Sequence, residues 1–127
     1  MRAVDREPAA ARPRRSRSWL ATALTGVGLL VLVTAHMVAH HFVVEEVGGL
    51  RTYRQVLDYV GDPRIMLLEG TLLLMVTWHA MLGLRSVLLD LHLPPALHRR
   101  IGPATWVLGI ATVAYGAVLI GTLAARA

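Results

Sequence analysis

Four histidines, His36, His40, His41 and His79, sit in apolar stretches of a chain of 127 residues that contains no cysteine. Polar side chains in such stretches are costly and mark function by default. His36 and His40 share a helical face four residues apart, a spacing that can hold zinc, while His41 is turned away by roughly 140 degrees. The adjacent Glu of a metalloprotease helix is missing. Without cysteine, disulfide frameworks, thiolate metal sites, iron–sulfur clusters held by this chain and cysteine nucleophiles are all excluded. The better use for a neutral intramembrane imidazole is an axial bond to haem iron, one per helix, with the second axial bond from a facing helix.

Gly83, Ser86 and Asp90 follow His79 at i+4, i+7 and i+11, all within about 40 degrees of one line. Gly83 either clears room for a porphyrin edge or lets two helices approach closely. Arg85 faces about 120 degrees away and either meets a haem propionate or snorkels to the interface. Glu69 is a candidate proton carrier, or else an interfacial carboxylate met by water or Arg64. His92 and His98 read as solvated interfacial residues.

These residues need elements to carry them. With 55% hydrophobic and 17% charged residues, the chain is one small unit without a largely polar surface. Residues 18–44 carry no fixed charge, giving 27 positions against the roughly 20 that cross a bilayer. A signal peptide's apolar core is shorter, about 7 to 15 residues. A second span covers residues 64–91 after Asp62-Pro63, a helix cap followed by a first-turn proline. Pro94-Pro95 and the run His98, Arg99, Arg100 read as a short connection, because proline does not extend a helix interior. Gly102-Pro103 then opens a third span, residues 103–125.

The expected fold is therefore an all-α membrane protein, three transmembrane helices with a short amphipathic helix in the outer loop. Residues 1–17 form a basic arm, disordered or lying on lipid, and residues 18–127 the transmembrane domain. In the outer loop, Leu50, Tyr53, Leu57 and Val60 recur at spacings of three and four after a break at Gly48-Gly49, with Arg51, Arg54 and Asp58 opposite. This segment is either a surface helix lidding the bundle or an ordinary solvated helical loop.

The net charge of +5 comes from thirteen Arg and no Lys against eight acids. Six of the Arg precede the first span and no aromatic-rich basic surface follows, so the charge reads as membrane topology and not as nucleic-acid binding. That distribution places the N-terminus and second loop in the cytoplasm, and the first loop and C-terminus outside. On span three, Thr105, Gly109, Thr112 and Gly116 make one small stripe for close packing on a neighbour. Counted from the outer span ends, His36 lies about 12 Å deep and His79 about 22 Å. The two imidazoles thus differ in level by roughly 10 Å and suit two stacked haems better than one iron.

From His36 to Asp90 the sequence resembles the membrane-anchor subunits of succinate dehydrogenase and fumarate reductase, the respiratory complex II family. The string HAMLGLRSVLLD over residues 79–90 matches the family pattern H-x-x-x-G-x-[R or W]-x-x-x-x-D, whose His ligates haem b. The run HMVAHHF over residues 36–42 resembles the H-x-x-x-x-H-F run of two-haem anchors, whose first His is the ligand. Thr52-Tyr53 and Asp62-Pro63 are similar to the small three-helix anchors of D-subunit type. Leu91 stands where some ubiquinone-reducing relatives carry Tyr after the motif's Asp.

This resemblance implies the membrane subunit of a succinate:quinone oxidoreductase, not itself catalytic for succinate oxidation, in the bacterial inner or plasma membrane. Its partners would be a second anchor subunit of C type, an iron–sulfur subunit, a flavoprotein subunit, membrane lipid and a quinone, with menaquinone expected. His36 and His79 would each ligate a haem b shared with the second anchor, the His36 haem far from the iron–sulfur protein. Gly83 and Arg85 would border the cofactor, and Arg85, Asp90 and Glu69 are the quinone or proton-path candidates. A single-haem anchor held by His79 alone is the close alternative. A haem-free scaffold or small transporter subunit is the alternative of another class, although the paired interruptions and inverted repeat of transporters are missing. A free-standing cytochrome has too few helices to enclose a haem.

Overall fold

The computed structural model describes residues 17–42 and 52–127, and its regular elements are all helices: α1 (Arg17–Phe42), α2 (Tyr53–Gly61), α3 (Pro63–Asp90) and α4 (Pro95–Ala124). The basic arm ahead of Arg17, the Gly48-Gly49 break, Leu50, Arg51 and the side chain of His41 lie outside the described residues. At 1.5 Å per residue the 26, 28 and 30 residues of α1, α3 and α4 reach about 39, 42 and 45 Å, beyond the roughly 30 Å hydrocarbon core. All three are long and apolar enough to cross a membrane.

The helix starts follow from capping chemistry. The Asp62 carboxylate accepts from the Arg64 amide at 2.8 Å, and Pro63 occupies the first turn of α3, where its missing N–H costs nothing. Thr52 and Gln55 form a reciprocal capping box on α2: the Gln55 amide donates to Thr52 Oγ1 at 3.4 Å and the Thr52 amide to Gln55 Oε1 at 2.8 Å. Thr52→Ala is expected to destabilise α2 by about 1 kcal/mol. Amide hydrogen exchange would then quicken across residues 53–61 and stay unchanged in the middle of α3.

One boundary differs from the sequence expectation. Helix α4 begins at Pro95, so His98, Arg99 and Arg100 are helical and Pro103 lies inside the helix. Pro103 frees the carbonyl of Arg99, which is exposed near the helix end, and the Thr105 hydroxyl donates to the carbonyls of Ile101 at 3.0 Å and Gly102 at 2.9 Å around the same turn. The Thr105 bonds do not reach the Arg99 carbonyl; its exposed position near the helix end, open to solvent, is what makes the proline tolerable. His98 Nε2 lies 3.2 Å from the carbonyl of Leu91, the C-cap of α3, and donates to it across the short connection.

Helix α3 lies between α1 and α4, which do not pack on each other among the described residues. Against α4 it fits through the small-residue stripe: Thr105 is buried, a Cβ on Gly109 would lie 3.0 Å from Met81 Cγ, and one on Gly116 would lie 2.6 Å from Leu73 Cδ2. Thr112 alone of the stripe is exposed, its hydroxyl bonded to the Leu108 carbonyl of its own helix. On α1 the close approach is made by Gly26 and Gly28, which face His79 and Met75.

Helix α2 crosses one end of this row, packed on α3 and α4, as the lid reading expected. Its inward face differs in one respect. Tyr53, assigned to the apolar face by spacing, is 59% exposed, whereas Tyr59 is 7% exposed and joins Ala39 of α1 and Ile65 of α3 in a small core. Elsewhere the long helices leave their large apolar side chains exposed, Leu30, Trp78, Trp106 and Tyr115 among them. A surface of that kind is stable against lipid or another chain's helices.

Candidate functional site

His79 is held from α1. Thr25 Oγ1 lies 2.8 Å from the Ala21 carbonyl one turn earlier and 3.0 Å from His79 Nδ1. The hydroxyl also lies 3.1 Å from the Thr22 carbonyl, and with its single proton turned to either carbonyl its lone pair accepts from Nδ1–H, an arrangement that leaves Nε2 unprotonated. Gly26 lets the ring lie against the α1 backbone, where an added Cβ would sit 3.4 Å from His79 Cε1. One turn on, Gly83 has open space around it, so close packing within this chain does not account for that glycine. The His79 imidazole is thus oriented through one nitrogen and offers the other.

The second cluster sits at the α2 end. His36 Nδ1 lies 2.8 Å from Glu69 Oε1 and donates to it, and the Tyr59 hydroxyl donates to the same oxygen at 2.9 Å. His40 Nε2 is 3.8 Å from that oxygen. The His40 ring centre lies 4.3 Å from that of His36 and 4.5 Å from that of Tyr59. Glu69, with 18% of its side chain exposed, is therefore engaged by α1 and α2. Neither water nor Arg64 is needed to explain it.

The levels of the two clusters can be read from their partners. Thr25 to His36 is eleven residues along α1, about 16 Å, and Glu69 to His79 is ten along α3, about 15 Å. The separation exceeds the roughly 10 Å counted from span ends because those ends are not level. The other candidates are not brought together with either histidine. Arg85 borders a groove of about 510 Å3 between α3 and α4, with Thr105 and Trp106 across from it, and Asp90 is exposed at the last residue of α3.

Sequence reasoning missed three residues that matter here. Thr25 and Gly26 carry no chemistry of their own and show their use only once α1 lies against His79. Tyr59 had a signal, since Val56, Tyr59 and Val60 also recur at three and four, but the competing stripe through Tyr53 contained more apolar residues.

Comparison with known proteins agrees with this architecture. The family described as succinate dehydrogenase/fumarate reductase transmembrane subunit matches residues 10–121. The chain belongs to this family. It is a multi-pass helical membrane protein, and its three long helices are those of a succinate dehydrogenase/fumarate reductase transmembrane subunit. A succinate dehydrogenase hydrophobic membrane anchor subunit of Archaeoglobus fulgidus is 40% identical over 73 residues, 58% of this chain. The match spans 60% of that relative's own length. No solved structure matches the transmembrane subunit.

Proposed function

We propose that this transmembrane subunit is a haem b-binding anchor of a succinate:quinone oxidoreductase, seated in the cytoplasmic membrane with its N-terminus in the cytoplasm. It joins a second anchor subunit of C type and carries docked iron–sulfur and flavoprotein subunits, passing electrons to membrane quinone, with menaquinone the expected acceptor. The observation that supports this reading best is the Thr25–His79 bond. It leaves Nε2 as a lone-pair donor, and an outer-shell partner on the far nitrogen is the usual arrangement for a metal-ligating imidazole. Gly83, one turn from His79, has nothing among the described residues within 4 Å of where a Cβ would lie, which is consistent with room for a cofactor edge there.

Bound there, haem supplies one-electron transfer at a potential set by its two axial ligands and its burial. The chain's own residues do the rest. His79 would hold the haem iron through its free nitrogen, and Thr25 and Gly26 fix the ring's direction. Beyond the first turn of α4 there is no His, and His36 is about 15 Å away, so the opposite ligand comes from the second anchor. Arg85 and Asp90 are the quinone and proton-path candidates on the cytoplasmic side, and Glu69 on the other. The test is the haem-to-flavin ratio of the purified complex; a colourless complex would reject the reading and favour a haem-free scaffold.

A second haem on His36 is favoured by one specific observation: Glu69 holds Nδ1 of His36 as Thr25 holds Nδ1 of His79, at a level about 15 Å away. Two haems per flavin, one of them lost in His36→Ala, is the result this second reading requires. Thr25→Val keeps the shape of the α1 contact and removes the acceptor for His79. Loss of an outer-shell partner costs roughly 10–100-fold in metal affinity, and haem retention on dilution in detergent should fall accordingly.

A further inference from the structure

We propose that His36, His40 and Glu69 form a binding site for a zinc-type divalent cation at the α2 end of the α1–α3 pair. The inference goes beyond the haem reading: it needs nothing at His79, and it competes with a second haem for His36. Three potential ligand atoms, one from each side chain, lie within 4.8 Å of one another. Glu69 Oε1 is 2.8 Å from His36 Nδ1 and 3.8 Å from His40 Nε2. Tetrahedral zinc with bonds of about 2.0–2.1 Å needs ligand atoms roughly 3.3 Å apart, midway between those two distances. The third pair, His36 with His40, lies within 4.8 Å, and side-chain rotation brings it to the same spacing on binding.

The donor set decides which cation. Two imidazoles and one carboxylate suit zinc and its first-row neighbours, whereas calcium and magnesium require six or more oxygen ligands or retained waters. The site is also accessible and supported. Side-chain exposures of 27% for His36, 35% for His40 and 18% for Glu69 leave it half open, and Glu69 is six residues, about 9 Å, from the start of α3. Tyr59 holds Glu69 through its hydroxyl, as outer-shell partners hold ligating carboxylates. The sequence shows the i, i+4 histidine pair without an acid beside it; folding brings the acid from another helix.

Binding replaces the Nδ1 proton of His36 with the cation and releases that proton. It also ties α1 to α3 and takes Glu69 out of service as a proton carrier. The experiment uses the intact complex, stripped with a chelator and titrated with Zn2+ by calorimetry and with Co2+ by visible absorption. Expected are a single ion per chain of this subunit, the d–d bands of four- or five-coordinate cobalt, and displacement of cobalt by zinc. Glu69→Gln and His40→Gln should each weaken binding by more than about 100-fold, and the milder Tyr59→Phe by about 10-fold. His98→Gln, on the opposite end of the bundle, should change nothing.

Binding that survives both ligand substitutions, or that disappears with His98→Gln, overturns the site. Two haems per flavin with one lost in His36→Ala also overturns it and leaves His79 untouched. A colourless complex that still binds zinc in this pattern overturns the haem reading and sustains this one.

Discussion

His79→Ala is expected to leave the subunit inserted and assembled while removing the haem that this histidine ligates, so that the reduced-minus-oxidised cytochrome signal per flavin falls by the whole share of that haem. The imidazole is half-buried between α1 and α3, and its Nδ1 is engaged by Thr25, so the alanine variant loses both the proposed iron ligand and the group that Thr25 and Gly26 position. Membrane abundance of the subunit separates loss of haem from loss of folding. An unchanged haem content in a normally assembled variant would refute ligation by His79. The parallel His36→Ala measurement distinguishes the one-haem and two-haem readings.

Gly116→Val should loosen the packing of α4 on α3. A Cβ at Gly116 would lie 2.6 Å from Leu73 Cδ2, 2.9 Å from Cδ1 and 3.3 Å from Cγ, so the leucine already fills the space that any side chain would enter. Overpacking of this kind costs about 3 kcal/mol at the upper end of its usual range. In a membrane helix pair no hydrophobic gain repays the lost backbone approach. The expected result is a lower unfolding midpoint in mixed detergent, with partial recovery in Gly116→Val combined with Leu73→Ala. If the double variant recovered nothing, the clash with Leu73 would not be the cause.

The long helices were legible because the bilayer sets their length and composition together, and 27 uncharged residues before Glu45 allow few other readings. The small stripe on α4 was legible for a similar reason, since glycines at helical spacing have a geometric use in lipid. Pro103 was misread because a local rule about proline was applied near a helix end, where the freed carbonyl belongs to the exposed Arg99. The two polar clusters were legible only in part. His36, His79 and Glu69 stood out by the cost of placing them in apolar surroundings, but the pairing of His36 with Glu69 and the parts of Thr25 and Tyr59 did not. Which α3 carboxylate meets which α1 imidazole depends on how far one helix slides past the other, and no local pattern contains that offset.

The Thr25–His79 and His36–Glu69 hydrogen bonds between α1 and α3, eleven residues apart along α1, therefore act like a pair of dowels in a sliding joint. Glycines such as Gly26 and Gly28 make the seam smooth, and lipid offers little reason to prefer one offset over the next. A slip of one turn, about 5.4 Å, would break Thr25–His79 and His36–Glu69 together and take from both imidazoles the partners that hold their Nδ1 atoms. A pivot about one dowel is stopped by the other, about 15 Å away. The same side chains that invite chemistry thus serve as the alignment marks by which this helix pair finds a single depth and tilt.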